Sequence, residues 1–330
     1  LAIINGGAGT GCRYGFFSEF AGQFNIAAGA DQTRCAGDTV LLAGTVSGGS
    51  TTGIWTTTGS GTFAPSATAL NATYHPSIGD LAIGSVTLTL TSTGPCTPAS
   101  DAMVVTFSPR PIPNAGPDQS VCRNNAVVQL AGTVLNAVGG VWTGGAGAFL
   151  PANSNLNATY TPTAAELTAG QVWIKLASTG NGVCNAVVDS MLVTFTPSPT
   201  ANAGPDQTRC ANNALVQLNG AFTVATGGVW SGGAGSFDPS TTNMSAQYTP
   251  TAAEISSGSV TLTMTTTGNG NCVAVSDQVL VNFTAAPVVN AGAAVSLCAN
   301  NAQVSLSGSV TGATGGAWSG GAGSYAPNNT

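Results

Sequence analysis

Eight cysteines, twelve acidic side chains, one histidine and five tryptophans are the residues of this chain whose types could do chemistry. The cysteines fall into two series. Cys35, Cys122, Cys210 and Cys298 recur at steps of about 88 residues, and Cys96, Cys184 and Cys272 follow the first three by about 62. Cys12 stands near where a preceding repeat would place its second cysteine. Zinc would require closely spaced Cys or His pairs, and the one histidine, His75, has no such neighbour. Disulfides formed in an oxidising compartment are the chemistry that fits.

A separation near 60 is common for bridges in two-sheet sandwiches. It favours pairing within each repeat: Cys35 with Cys96, Cys122 with Cys184, and Cys210 with Cys272. Each loop so closed would stabilise its repeat by roughly 4 kcal/mol. The first cysteine, however, precedes the second strand and the second sits in the turn before the last, and those turns can fall at opposite ends of a sandwich. A second connectivity therefore stays open, Cys35 with Cys184 and Cys122 with Cys272, which would staple neighbouring repeats. Cys298 has no partner in either scheme.

Two series of aspartates have the spacing for a hard cation. Asp31, Asp118 and Asp206 lie at the joints between repeats, and Asp101, Asp189 and Asp277 open each last strand. Calcium takes clustered carboxylate and carbonyl oxygens, but isolated Asp in Pro-Asp and Ser-Asp contexts more often bonds its own backbone. No metal or other cofactor is expected, calcium remaining the candidate to test. Catalysis has less support, because no nucleophile and base recur together. The Gly-Gly-Ala-Gly runs at 144–147, 232–235 and 320–323 lack the Lys-Ser/Thr of a phosphate loop and read as turns. Trp55, Trp142, Trp230 and Trp318 keep the cysteine spacing and read as core plugs of a sandwich. Trp173 alternates against Val172 and Ile174 and should face outward.

The elements that hold these residues repeat with them. The chain divides into residues 1–28, a degenerate repeat tail or cap; repeats at 29–115, 116–203 and 204–291; and a partial fourth repeat at 292–330. Each full repeat has an apolar alternation at Val40 and Leu42, Val128 and Leu130, or Val216 and Leu218. A Trp strand follows, then an aromatic, then Tyr-x-Pro. A strand at Val86-Leu88-Leu90, Val172-Ile174-Leu176 or Val260-Leu262-Met264 comes next, with a last strand at Met103-Val105-Phe107 and its copies. Period-two alternation reads as strands with one buried face, and about seven of them in under 90 residues predict a two-sheet sandwich. Pro162-Thr-Ala-Ala-Glu166 and its copy at 250–254 predict one short helical turn, opened by proline and bridging the sheets. The expected fold class is all-β, a tandem array of immunoglobulin-like β-sandwiches.

Composition narrows the function. Charged residues make up 5% of the chain, with six basic residues and a net charge of −6. Phosphate neutralisation requires clustered cations, so nucleic acid is excluded as a partner. No apolar stretch approaches the roughly 20 residues of a membrane span, so no membrane insertion is expected in this segment.

Asn-Ala-Gly-Pro-Asp-Gln-Thr at 202–208, the Cys-Ala-Asn-Asn-Ala-Leu-Val-Gln-Leu-Asn-Gly run at 210–220 and Gly-Gly-Val-Trp-Ser-Gly-Gly-Ala-Gly at 227–235 together carry a resemblance. Over residues 29–330 the chain resembles the PKD-like, immunoglobulin-like tandem repeats of giant cell-surface adhesins in gliding bacteria. The fourth repeat departs from that pattern, with Ala294 where Asp is expected, and residues 1–28 do not fit it. The resemblance implies an extracellular, cell-surface protein exported by type 9 secretion and working as an adhesive thread. Its partners would be surface polysaccharide or a solid substratum, with neighbouring copies of itself as a further partner. O-linked sugars on Asp-Ser/Thr-apolar sites would then fall on Thr39 and Ser190. The rival readings are a subunit of a multi-chain extracellular filament or sheath, and a carbohydrate-binding array.

Overall fold

The computed structural model describes residues 25–48, 50–94 and 98–330. The described residues form two compact units. One comprises those up to Ser120 together with Ala126–Thr194, and the other comprises Val121–Asn125 with Phe195–Thr330.

In the first unit the leading sandwich is built from β1 (Asn25–Ala27), β2 (Gln32–Cys35), β3 (Val40–Leu41), β4 (Thr45–Ser47), β5 (Thr52–Thr57), β6 (Thr62–Ala64), β7 (Thr73–His75), α1 (Ile78–Ile83), β8 (Ser85–Thr93) and β9 (Ser100–Ser108). One sheet has the order β2-β9-β8-β5. In it β2 runs parallel to β9, with Gln32 opposite Val105 and Cys35 opposite Ser108. The facing layer consists of β3-β7-β6 and the pair β1-β4. Taking β3 and β4 as one interrupted strand, the two layers are A-B-E-D and A′-G-F-C, the immunoglobulin-like arrangement. The second unit repeats it around Gln207–Cys210, which lies parallel on Ser276–Thr284. The protein is thus an all-β tandem array of immunoglobulin-like sandwiches. β1 lies before residue 29 yet pairs forward with β4, Ile26 opposite Val46. Its copies Ile112–Asn114 and Thr200–Asn202 likewise pair with strands that follow them.

The alternation seen in the sequence sets the faces. Along β8, Val86, Leu88 and Leu90 point into the core while Thr87, Thr89 and Thr91 lie on the other face. β-branched threonine suits that half-solvated position. Trp55, Trp142 and Trp230 are buried at the centre of their sandwiches. Each ring presses on a glycine that interrupts the B strand: a Cβ on Gly44 would lie 2.7 Å from Trp55 Cζ2, and one on Gly132 2.6 Å from Trp142 Cζ2. Trp318 differs from the core role expected of it, being only partly buried. Val304 and Leu306 of the same partial repeat are exposed as well.

The short helix joins the E strand of one sheet to the F strand of the other. Proline does not open it: Thr163 is the N-cap of Ala164–Ala169, accepting from Glu166 N while Glu166 reaches back to the cap, with Pro162 one residue earlier. Such a capping box satisfies two of the helix's free N–H groups at once. Gly170 closes the turn in the left-handed conformation, where glycine carries no Cβ penalty.

Candidate functional site

The cysteine pairs follow from strand direction. Cys210 ends its strand opposite Thr284, at the far end of Ser276–Thr284, whereas Cys272 sits in the turn that precedes Ser276. A nine-residue strand separates its ends by roughly 26 Å, and a disulfide needs Cα atoms within about 7 Å. Pairing of Cys210 with Cys272 is therefore excluded. The same geometry corrects the other two within-repeat pairs. Cys35 is bonded to Cys184, with a sequence separation of 149, and Cys122 to Cys272, with a separation of 150. Cys96 and Cys12 lie outside the described residues, and Cys35 is already engaged with Cys184. The bonds join the first cysteine of one repeat to the second cysteine of the next, the connectivity left open above.

Local hydrogen bonds shape both halves of the junction. The turn carrying the second cysteine is held from beneath by a buried hydroxyl: Val187 N donates to Ser178 Oγ at 2.9 Å, and Val275 N to Thr266 Oγ1 at 3.0 Å. Asn181 and Asn269 accept on their backbone carbonyls from Cys184 N and Cys272 N, each at 3.0 Å. On the other half, Asn213 N donates to Cys210 O at 2.8 Å and Asp38 N to Cys35 O at 2.9 Å, turning the chain sharply after the first cysteine.

Beyond the sulfurs the two junctions are braced differently. Around Cys35–Cys184, Arg110 donates from Nε to Ala36 O at 2.6 Å and pairs with Asp38 at 3.3 Å. Both side chains are exposed, so the ion pair contributes little by itself. Beside Cys122–Cys272, Asn124 donates through Nδ2 to Val273 O at 2.8 Å, and its Oδ1 accepts from Val273 N at 3.2 Å. Thr196 Oγ1 stands 3.4 Å from Asn271 Oδ1. Sequence reasoning passed over Asn124. The signal was the Asn-Asn pair that follows Cys122, Cys210 and Cys298 at the same offset.

The six aspartates proposed as cation ligands are occupied with backbone. Asp101, Asp189 and Asp277 each accept from the amide of Ala28, Ala115 and Ala203 at 2.8 Å. In return Asp31, Asp118 and Asp206 accept from Val104, Leu192 and Leu280, at 2.8, 2.7 and 2.8 Å. The two carboxylates of each repeat clamp the crossing between the A and A′ strands to the start of strand G. Among the described residues, no group of three or more His, Cys, Asp or Glu side chains gathers as a metal set.

A second polar cluster closes the end of each sandwich near the helix. Tyr160 Oη donates to Glu166 at 2.7 Å and accepts from Gly147 N at 2.9 Å, while Ala146 N donates to the same carboxylate at 2.7 Å. Tyr248, Glu254, Ala234 and Gly235 repeat the arrangement. The Gly-Gly-Ala-Gly runs at 144–147 and 232–235 are therefore loops folded onto a tyrosine and a carboxylate. A Cβ on Gly145 would come within 2.0 Å of Tyr160 Oη. Burial and the bond to Glu166 push the Tyr160 phenol up to about 12, and Tyr248 stands at about 12 for the same reasons. In the first repeat the shorter Asp80 takes the carboxylate's place, accepting from Tyr74 at 2.6 Å and from Ser60 N at 2.8 Å. Burial pushes the Asp80 carboxyl up, but the donors from Tyr74, Ser60 and Ser77 outweigh it and hold the group at about 2.

Buried rings do not stack on sugars, which removes Trp55, Trp142 and Trp230 as a binding row. Trp173 is 50% exposed and faces outward as its alternation predicts. Thr39 and Ser190 are both exposed.

No protein-family model matches the chain, and no curated protein matches it. Among solved structures it is similar to a three-domain I-band fragment of titin, at 11% identity and a TM-score of 0.43, over 80% of this chain and 98% of that one. It is also similar to the EC1-3 fragment of mouse protocadherin-24, at 11% identity and a TM-score of 0.34, over 79% of this chain and 98% of that one. A further similarity is to the insect immune protein hemolin, at 10% identity and a TM-score of 0.30, over 79% of this chain and 76% of that one. The described residues include no helix long and apolar enough to cross a membrane.

Proposed function

We propose that the protein is an extracellular, cell-surface repeat protein that works as an adhesive stalk or thread. The observation that carries this reading is the disulfide pattern, in which each bond spans the joint between one repeat and the next. A stalk transmits load through its joints, and a covalent bond across the joint keeps it from being pulled open before the sandwiches themselves unfold. Persistent disulfides also favour an oxidising, extracellular location. The uncharged, threonine-rich strand faces give many near-identical weak contacts, whose avidity grows with repeat number.

The finer reading is an adhesin of the gliding-bacterium type, exported by type 9 secretion and contacting polysaccharide or a solid substratum. It is supported by the Ala-Gly-Pro-Asp and Gly-Gly-Val-Trp motifs. The repeats bounded at 29–115, 116–203 and 204–291 would be its mechanical modules, and Thr39 and Ser190 its sites for O-linked sugars. Beads coated with the full chain should adhere to glass or to a polysaccharide film, and detach at lower force once the disulfides are reduced. Coated beads that release no differently from bare ones would overturn the adhesive role.

A second reading, a multi-chain filament, is favoured by the uncharged, threonine-rich surface, which sets up no like-charge repulsion between neighbouring chains. Electron microscopy separates the two: a thread one sandwich wide supports the stalk, and a thicker fibre supports the filament.

A further inference from the structure

The outer face of strand F departs from its own pattern in the second sandwich. Where the first carries Thr87 and Thr89 and the third Thr261 and Thr263, the second carries Trp173 and Lys175. The positions match in register: Thr87, Trp173 and Thr261 lie opposite Val104, Leu192 and Leu280 of strand G. Threonine satisfies the fold at both places, so the sandwich needs neither the indole nor the ammonium. Trp173 nevertheless stands 50% exposed, and an indole half in water forgoes much of the stabilisation that its burial would bring.

The surroundings leave the ring approachable and the charge unanswered. Strand C ends at Thr143, opposite Lys175, and the chain then passes strand F as Gly144, where a Cβ would lie 2.4 Å from Trp173 O. Gly144 sends no side chain over the indole, and Leu192 flanks it on the other side, partly buried. Lys175 is the one lysine of the chain; it is exposed and makes no ion pair among the described residues. Asp118 and Asp189, the acids that border strand G, are engaged with the amides of Leu192 and Ala115. These features select a ligand. A pyranose ring offers a flat face of axial C–H groups that packs on an indole, with hydroxyls around its rim, and an unpaired ammonium calls for an anion. Residues i and i+2 on one face of a strand lie about 7 Å apart, a separation that the flexible lysine stem spans. A single cation is too little for a nucleic-acid backbone.

We propose that Trp173 and Lys175 form a binding site for an acidic polysaccharide, the indole stacking on the ring of a uronic acid while the ammonium pairs with a carboxylate of the same polymer. The first and third sandwiches, with threonine at both positions, lack the site. The inference rests on the reading of the chain as a surface-contacting stalk and names the polymer that this face takes.

The test titrates the full chain, by calorimetry, with oligogalacturonate and with the same oligomer methyl-esterified, which keeps the rings and removes the charge. The acidic oligomer should bind, and bind more weakly as salt is raised. Trp173→Thr should lower the affinity for both oligomers by about tenfold. Lys175→Thr should lower it for the acidic oligomer alone, by about threefold. Both substitutions place a residue that the same position holds in the other repeats, so the sandwich folds without either side chain. No binding of the acidic oligomer, or equal binding by all three chains, would overturn the site. So would dimerisation that shields Trp173 from acrylamide quenching, which would give the face to a second copy of the chain. Beads that hold to glass while the oligomer fails to bind would overturn this site and leave the stalk standing, whereas beads that release while the oligomer binds would support the site and overturn the stalk.

Discussion

Cys122 and Cys272 are joined across a sequence separation of 150, although Cys184 lies much nearer to Cys122 in the sequence. The reason is directional. The first cysteine of a repeat ends the A′ strand, which runs parallel to strand G, and the second cysteine precedes strand G. The two sit at opposite ends of one sandwich, and each meets its complement only in a neighbouring repeat. In the chain-entropy treatment, closing a loop of this size stabilises the folded state by about 5 kcal/mol.

Acid should weaken the first repeat through Asp80. Its carboxyl is held at about 2 in the folded chain, against an ordinary value of 3.8. A lowered carboxyl supplies stability that is present above the unfolded value and lost as pH falls toward the folded one. The denaturation midpoint should therefore drop between about pH 4 and pH 2, by about 2 kcal/mol in stability. Asp80→Asn should flatten that drop in a urea titration across the same range, at the cost of a lower plateau at neutral pH.

Alkali should act on the tyrosines in the opposite sense. Tyr160 and Tyr248 stand at about 12 against an ordinary 10.0. Their contribution is full below pH 10 and is lost as pH rises toward 12, because the unfolded chain ionises first. Absorbance titration of the phenolate should show both groups ionising above pH 11. Tyr248→Phe leaves Gly235 N and the Glu254 carboxylate short of a partner and should cost about 1–3 kcal/mol.

Filling the space under a core tryptophan should be costly. A Cβ on Gly132 would lie 2.6 Å from Trp142 Cζ2 and 2.8 Å from Leu176 Cδ2. Gly132→Ala should destabilise by about 1–3 kcal/mol through overpacking, read as a lower urea midpoint with an unchanged slope and a shifted tryptophan emission.

Asp189 should matter as a backbone acceptor. Its carboxylate takes the amide of Ala115, a buried residue. Asp189→Ala leaves that amide unsatisfied and should cost about 1–3 kcal/mol, whereas Asp189→Asn keeps an acceptor and should cost less. Millimolar calcium should leave the melting temperature of the unmodified chain unchanged. A calcium-dependent rise would return the aspartates to the role of cation ligands.

The faces of this fold were legible in the sequence and its ends were not. Alternation at Val86, Leu88 and Leu90 placed the core side of strand F, and a recurring Trp alternating into the third strand marked Trp55, Trp142 and Trp230 as buried. Alternation carries no information about which way a neighbouring strand runs, so the parallel A′–G pairing that sends Cys35 to Cys184 was invisible. Tyr160 and Glu166 were each noticed, but their contact depends on a capping box turning the carboxylate back under the ring. Trp318 shows the other limit: its position in the repeat marks it for burial, yet it is only partly buried, because burial depends on neighbouring strands and not on position in the repeat alone.

Disulfide peptide mapping of the oxidised, alkylated chain tests the central claim most directly. The account predicts linked peptides containing Cys35 with Cys184 and Cys122 with Cys272. A linked peptide joining Cys122 to Cys184, or Cys210 to Cys272, would contradict it.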